Sequence, residues 1–326
     1  MTYLEESIHQ EAAVLRETLT LDVSAVTDVL RRVERVHLVG TGSSQHAAEL
    51  GAWMLRRGGL DASWWSSATA ARAGAWRDHA VVVLSHTGET AFARTVRDQV
   101  RSAGTAPLVT LTGTTAGWSE AVRVAPRERS ETYTFGYTGT LLALARVAGE
   151  LGAAEFAADA LARAVDAVEE AVAAPPPGVS GTGTVVLTGA GPSAITAREG
   201  ALKLREAARV HAVGYEAEYL LHGSAVPLRA GDELVLLQPD DDADGLVGAI
   251  GAAAESEGLT VHDVTVRSDL DPVLAQLPLT ARFQLLAARL ADAHGHDPDV
   301  VITGAWADER LWALGGTERP VEGSGS

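Results

Sequence analysis

Three ionisable residues on one stretch of the chain could together carry acid–base chemistry. Glu199, Lys203 and Glu206 fall within residues 193–210, a segment whose pattern predicts a long helix. Their spacing of i, i+4 and i+7 places them on one face of such a helix, where a carboxylate could serve as a general base. The same spacing is typical of exposed ion pairs on helix surfaces, which contribute little to protein stability. Spacing alone leaves both interpretations open.

Lys203 also stands out by composition, since it is the only lysine in the chain. A preference for arginine explains the other basic residues but not why one lysine remains. Cysteine is absent, which excludes disulfides, thiolate nucleophiles and thiolate metal sites. The chemistry of this chain therefore does not rest on a thiolate.

A second cluster of polar side chains follows a predicted strand at residues 80–84. Residues 85–90 read Ser-His-Thr-Gly-Glu-Thr and lead at once into a predicted helix at 90–103. Free amides at a helix N-terminus and the helix dipole favour a phosphate group. One hydroxyl is enough to cap a helix, whereas this loop supplies three. The loop therefore predicts phosphate binding, with plain helix capping as the alternative.

Alternating strand and helix patterns must position these two clusters. In the first half, apolar segments that predict buried parallel strands lie at residues 36–40, 80–84 and 107–111, and helical patterns lie at 44–57 and 90–103. The second half repeats this order, with predicted strands at 184–189, 233–237 and 259–264 and predicted helices at 193–210 and 245–257. Such alternation favours parallel sheets covered by helices.

The sequence thus predicts an α/β protein made of two similar tandem domains, each a parallel sheet flanked by helices in a three-layer sandwich. The predicted units are an N-terminal helical segment (1–25), a phosphate-binding first domain (26–173), a Pro/Gly-rich linker (174–183) and a second domain with a C-terminal tail (184–326).

Charge and hydropathy limit the partners and the location. The net charge of −17 argues against nucleic acid and against anionic membrane surfaces, both of which attract basic proteins. No apolar run approaches the roughly 18 residues of a membrane span, and residues 1–20 are too polar for a secretory signal. We therefore expect a cytoplasmic protein without nucleic-acid or membrane partners.

Four short motifs carry a resemblance to a known family, and the resemblance covers nearly the whole chain. They lie at residues 42–47, 85–90 and 199–206, and at His222-Gly223 after Glu218. With these motifs the chain resembles a tandem pair of sugar isomerase (SIS) domains. It is similar to the isomerase half of glucosamine-6-phosphate synthase and to sugar-phosphate deglycases and deaminases.

The resemblance implies a sugar-phosphate ligand and the residues around it. One of these residues is Thr134, which lies in a segment similar to the family's Ser-Thr-Lys stretch. The implied phosphate-binding residues are Ser44, Ser85, His86, Thr87, Thr90 and Thr134.

The resemblance also implies roles in catalysis. Glu206 is the expected base that moves a proton between neighbouring carbons, and Lys203 shares its helix face. His222 is expected to open the sugar ring, in its own or in the neighbouring subunit's site. Glu218 either orients His222 or shares the base role. The implied assembly is a homodimer with active sites between subunits.

Three departures from the family leave the reaction open between isomerisation, deamination and deglycation. No lysine follows Lys203, although the synthase relative has one in its C-terminal tail. Phe135 stands where the Ser-Thr-Lys stretch has lysine, and Ser224 replaces a usual proline. These differences affect the exact reaction more than the class of ligand.

Other signals predict neither a metal nor a cofactor. Residues 240–245 resemble the start of a calcium loop, but Gly251 occupies the position where such a loop needs glutamate. This acidic loop holds the place in the second half that residues 85–90 hold in the first. We therefore expect one phosphate site per chain, in the first half. Neither glycine turn after the first strand of a half predicts a nicotinamide site. In the first turn Gln45 takes the third glycine position, and in the second no acidic residue is well placed about twenty residues on.

Two functions of different classes remain. The first is an enzyme that acts on a hexose 6-phosphate or an amino-sugar phosphate. The second is a non-catalytic sensor that only binds a sugar phosphate. Exchange of a substrate C–H proton with solvent separates the two.

Overall fold

The protein is described from a computed structural model, which covers residues 1–74, 76–238, 242–267 and 269–314. The described strands are β1 (Arg35–Gly40), β2 (Asp61–Ser66), β3 (Ala80–Leu84), β4 (Leu108–Gly113), β5 (Val122–Ala125), β6 (Val185–Gly189), β7 (Ala212–Glu216), β8 (Glu233–Leu237) and β9 (Thr260–Val264). The described α-helices are α1 (Tyr3–Thr18), α2 (Ser24–Leu30), α3 (Ser43–Arg57), α4 (Ser67–Ala73), α5 (Ala91–Ala103), α6 (Phe135–Glu150), α7 (Ala158–Ala173), α8 (Pro192–Ala208), α9 (Ala217–Tyr219), α10 (Leu246–Ser256), α11 (Gln276–His294) and α12 (Glu309–Ala313).

The strands form two separate parallel sheets. The first has the order β2-β1-β3-β4-β5 and the second the order β7-β6-β8-β9. Every residue of β3, β6 and β8 is buried, because helices cover both faces of a parallel sheet. The predicted α/β class, with parallel sheets flanked by helices, is confirmed.

The first strand–helix connection has the same shape in both sheets. Gly42 precedes α3 with φ 60° and ψ −132°, and Gly191 precedes α8 with φ 52° and ψ −124°. Positive φ of this kind is readily available only to glycine. Both turns therefore bring the start of a long helix to the carboxyl edge of a central strand, where ligands bind in open α/β sheets.

The two halves pack against each other through helices. α8 contacts α3, and α11 contacts α7. Leu4 and Ile8 of α1 belong to the core of the second sheet, and Ile195 of α8 belongs to the core of the first. Residues on α3 and α8 can therefore meet at one site. The predicted domain boundaries stay a prediction.

Most of the elements predicted from sequence occur within one or two residues of their expected ends. Several elements escaped prediction: β2, β5, β7, α6 and α11. None of the described helices combines the length and the apolar character that a membrane span requires. The predicted second domain extends beyond the described residues, since residues 315–326 lie outside them.

Candidate active site

Lys203 is at the centre of a buried group of charges on α8. Only 1% of its side chain is exposed. Its Nζ lies 2.6 Å from Oε2 of Glu206 and 3.5 Å from Oε1 of Glu199. Burial alone would lower the pKa of Lys203, but the two carboxylates raise it well above its ordinary value. The interpretation of these residues as an exposed ion-pair ladder is therefore wrong, and Lys203 stays charged.

Glu199 joins the two halves and stays ionised. Its Oε1 accepts a hydrogen bond from Oγ of Ser43 at 2.8 Å, and its Oε2 lies 2.7 Å from Nδ1 of His46. Complete burial would raise the pKa of Glu199, but Lys203, His46 and Ser43 together lower it to about 2. Glu199 is therefore a fixed negative charge that orients Lys203, and it is a very weak base near neutral pH.

Glu206 differs from Glu199 although both lie on the same helix face. Its side chain is 22% exposed, and it receives a hydrogen bond from Lys203. Burial raises the pKa of Glu206 above its ordinary value, although Lys203 acts in the opposite direction. Carboxylates whose environments shift their pKa values apart commonly take different roles. Of the two, Glu206 is the stronger base.

A small cleft borders these charges. Its cavity volume is about 30 Å³, and it is lined by Ser43, Ser44, Ala47, His86, Tyr133, Gly136, Tyr137 and Thr140. Ser43 lines the cleft and also donates to Glu199. The cleft therefore reaches Glu199 of α8 through Ser43.

Two side chains of the cleft carry buried polar atoms that have no partner among the described residues. These atoms are the two ring nitrogens of His86 and the hydroxyl oxygen of Tyr137. Burial lowers the pKa of His86 to about 4, and the charge of Arg127 acts in the same direction. His86 is thus a neutral imidazole, able to donate one hydrogen bond and accept another. Unpaired buried polar groups are costly, so their position here is consistent with a polar ligand.

The loop at residues 85–90 lies beside this cleft through His86. Ser85 is 4% exposed, and its Oγ accepts from the backbone N–H of Gly88 at 3.2 Å. Thr87 Oγ1 accepts from the N–H of Glu89 at 3.1 Å. Thr90 precedes α5 without a side-chain hydrogen bond to it. Thr90 therefore does not cap this helix, and phosphate binding stays a prediction.

Thr134 has a different environment from the other predicted phosphate ligands. Its backbone N–H and its hydroxyl both donate to Oε2 of Glu128, at 2.7 and 2.6 Å. Oε1 of Glu128 accepts from the N–H of Gly136 at 2.7 Å. A phosphate at Thr134 would have to take over these bonds. In this structure Thr134 fixes the start of α6.

His222 and Glu218 are exposed, unlike Glu199 and Lys203 on α8. Their side chains are 73% and 75% exposed, and His222 Nε2 lies 3.8 Å from Oε1 of Glu218. His222 belongs to a π-type turn, Leu220–Ser224, in which Gly223 has a φ of 101°. Within the described residues of one chain, the hydrogen bonds and ion pairs of Glu206 do not include either residue. Of the predicted catalytic residues, Lys203 and Glu206 contact each other. His222 and Glu218 form a separate pair.

Sequence reasoning missed several residues of this site. Glu128 is 5% exposed, and burial raises its pKa to about 7 although its hydrogen bonds and Lys203 act in the opposite direction. No motif marked it. His46 and Ser43 lay inside a recognised motif but received no role. Ser43 lies one residue after the Gly42 turn and His46 lies four residues after it. This position at the start of α3 could have indicated that both face α8, which follows the equivalent turn at Gly191.

The described residues contain no group of three or more His, Cys, Asp or Glu side chains placed to hold a metal ion. The acidic loop at 240–245 lies partly outside the described residues, since its Asp240 and Asp241 are not among them. Its interpretation as a poor calcium loop therefore stays a prediction.

Comparison with known proteins relates the chain to enzymes of sugar phosphates. No family model matches. The chain is 28% identical, over 91% of its length, to the isomerizing glutamine–fructose-6-phosphate aminotransferase of Methanothermobacter thermautotrophicus, and it spans 55% of that relative. The chain thus spans about half the length of this curated relative.

Solved structures share the fold at lower identity. Tagatose-6-phosphate ketose/aldose isomerase from Escherichia coli superposes with a TM-score of 0.78 at 15% identity, over 94% of this chain and 97% of that one. Glucosamine-6-phosphate deaminase from Thermotoga maritima superposes with a TM-score of 0.74 at 16% identity, over 91% of this chain and 97% of that one. The chain therefore has the fold of these phosphosugar enzymes.

Proposed function

We propose that the chain is a sugar-phosphate isomerase-type enzyme that acts on a hexose 6-phosphate or an amino-sugar phosphate. Its reaction is aldose–ketose isomerisation or removal of an amine by deamination or deglycation. The observation that carries this proposal is the group Glu199, Lys203 and Glu206 on α8, which is joined to a polar cleft through the hydrogen bond from Ser43 to Glu199. The similarity to an isomerizing aminotransferase and the shared fold with a ketose/aldose isomerase and a deaminase support it.

In the proposed reaction Glu206 takes a proton from a carbon next to the carbonyl group and returns it to the neighbouring carbon. Lys203 stabilises the ionised form of Glu206 across 2.6 Å and is itself held by Glu199. Because Lys203 keeps its proton, its role is electrostatic rather than nucleophilic. The raised pKa of Glu206 brings its basicity closer to neutral pH, which favours general-base catalysis.

The phosphate group would lie at the start of α5. Ser44, Ser85, His86, Thr87 and Thr90 would supply hydrogen bonds, with the amides of α5. Two features support this assignment. The side chain of Thr90 makes no capping hydrogen bond to α5, and the ring nitrogens of His86 have no partner among the described residues.

The finer points of organisation belong to the same proposal. We infer two tandem SIS domains, supported by the shared strand order of the two sheets, and a location in the cytoplasm. We also infer a homodimer in which His222 and Glu218 of one subunit reach the partner's site. The exposure of both side chains leaves them accessible to a second copy. Nucleic acid and membranes are not proposed as partners of so acidic a chain.

Proton exchange tests the enzyme proposal. The protein would be incubated in heavy water with fructose 6-phosphate or glucosamine 6-phosphate, and deuterium at the carbon next to the carbonyl would be followed by proton NMR. Glu206→Gln should bind the sugar phosphate about as well and lose exchange by about two or more orders of magnitude, typical of a general base. Glu170→Gln, which changes an exposed carboxylate on α7, is the matched control.

Two results would contradict the proposal. Full exchange in Glu206→Gln would remove Glu206 from the mechanism. Tight binding of both sugar phosphates by the native protein, with no exchange of either, would instead favour the non-catalytic sensor.

A further inference from the structure

The proposed phosphate site has few positive charges of its own. Its loop supplies hydroxyls and a neutral His86, and it also carries the carboxylate of Glu89. Lys203 is occupied by Glu199 and Glu206. A chain with a net charge of −17 repels a phosphate dianion at long range. A cation close to the loop would therefore contribute strongly to recognition.

Arg127 lies where such a cation is needed. Its Nη1 is 3.7 Å from Oε1 of Glu89, and its side chain is 43% exposed. Its charge acts on His86 and on Tyr133, both of which line the cleft. The guanidinium is thus close to the loop and to the cleft at once.

The backbone that carries Arg127 is held firmly. The next residue, Glu128, is buried and accepts three hydrogen bonds from Thr134 and Gly136. The side chain of Arg127, in contrast, makes a long and exposed ion pair, of a kind that contributes about 0–1 kcal/mol. A ligand can therefore displace Glu89 from Arg127 at little cost.

We propose that Arg127 is a specificity residue that pairs with the phosphate group of the substrate and exchanges Glu89 for it. This inference rests on the proposed function. The planar guanidinium matches the geometry of phosphate oxygens and forms charge-assisted hydrogen bonds with them. Because Glu89 pairs with Arg127, it would compete with a bound phosphate group for the same cation.

The competition gives the two partners opposite effects on binding. Arg127→Gln should weaken binding of fructose 6-phosphate about ten-fold or more, since it removes a charge-assisted contact. Glu89→Gln should leave binding unchanged or tighten it by up to about three-fold, because a nearby competing anion is lost. An ion pair with a purely structural role would weaken binding in both variants alike.

Isothermal titration calorimetry with fructose 6-phosphate measures these affinities in the full chain. Arg129→Gln is the matched control, since Arg129 is an exposed arginine two residues away that pairs with Glu6 at 3.8 Å. It should bind like the native protein. Circular dichroism would verify that each variant is folded, and raising the salt concentration should weaken native binding more than binding by Arg127→Gln.

The outcomes separate this inference from the proposed function. If the native protein binds neither fructose 6-phosphate nor glucosamine 6-phosphate, the proposed function fails. If the native protein binds and Arg127→Gln binds equally well, the role of Arg127 is refuted and the proposed function stands. Equal weakening by Arg127→Gln and Glu89→Gln would also overturn the role of Arg127 in recognition. If the affinity for fructose 6-phosphate depended equally on salt in the native protein and in Arg127→Gln, the role of Arg127 in recognition would also be refuted.

Discussion

Replacing Lys203 by methionine tests whether the charges on α8 form a buried functional group. The substitution keeps most of the side-chain volume and removes the ammonium group that lies within 2.6 Å of Glu206 and 3.5 Å of Glu199. Removing one partner of a buried ion pair costs about 3–5 kcal/mol, because the other charge stays buried and unpaired. We expect Lys203→Met to lose about this much free energy of unfolding at pH 7.

The pKa of Glu199 gives a second figure, which is the net effect of burial, Lys203, His46 and Ser43 on its ionised form. A decrease from the ordinary value of 4.5 to about 2 corresponds to about 3 kcal/mol of stabilisation when the group is fully ionised. A depressed folded-state pKa stabilises the protein above the unfolded value, and the effect is lost as pH falls through the folded value. The deficit of Lys203→Met should therefore be largest near neutral pH and decrease by roughly half at pH 3, about one unit above the folded pKa.

Urea unfolding followed by circular dichroism at pH 7 and pH 3 measures both effects. Arg163→Met is the matched control, since Arg163 pairs with Asp159 at 2.7 Å on the exposed face of α7 and should cost at most about 1 kcal/mol. A loss in Lys203→Met no larger than that of the control would refute the reasoning. A deficit that is equal at both pH values would refute the assignment of the loss to Glu199.

Three further predictions concern other parts of the chain. Glu11 is buried, and burial raises its pKa to about 8. Stability should therefore fall as pH rises from about 4.5 to 8, and Glu11→Gln should raise the free energy of unfolding at pH 8 by up to about 4 kcal/mol but change little at pH 4, as checked by urea unfolding. Thr87→Asp should abolish binding of fructose 6-phosphate without loss of the fold, and unchanged affinity by calorimetry would move the phosphate elsewhere. Mixing Glu206→Gln with His222→Ala subunits should restore some exchange activity if sites lie between subunits. No recovery after confirmed subunit exchange would place both groups in one chain or remove one from the mechanism.

Sequence pattern predicted the central strands well because their environment is uniform. Each residue of β3 and β8 is buried. β3 is a continuous apolar run, and β8 is apolar at every residue after Glu233. The strands β2 and β7 lie at sheet edges, and only one residue of each is fully buried. Their mixed polarity resembles that of a loop, which is why the pattern did not indicate them.

The spacing of Glu199, Lys203 and Glu206 predicted a shared helix face but could not predict burial. An exposed ladder and a buried group of charges have the same sequence spacing. The difference comes from α3, whose Ser43 and His46 cover Glu199. That contact joins residues about 150 positions apart, and it depends on how the two halves pack.

Glu128 shows the same limit more sharply. Nothing near it in sequence distinguishes it from the exposed Glu131 three residues later. Its role follows from the fold of the segment between β5 and α6, where the chain turns back so that one carboxylate receives two backbone N–H groups and a hydroxyl. Such a turn has no simple residue signature.

The asymmetry of the two halves supports the expectation of one phosphate site per chain. α5 and α10 follow β3 and β8 at equivalent places in the two sheets. At α10 the backbone N–H of Val247 already donates to Oδ2 of Asp242 at 2.6 Å, so a carboxylate of the chain occupies part of the position that an anion would take. At α5 the side chain of Thr90 makes no such bond. A helix N-terminus attracts an anion chiefly through its free amides. An anion at α10 would therefore have to displace the carboxylate of Asp242, whereas an anion at α5 would not have to displace a side chain of Thr90.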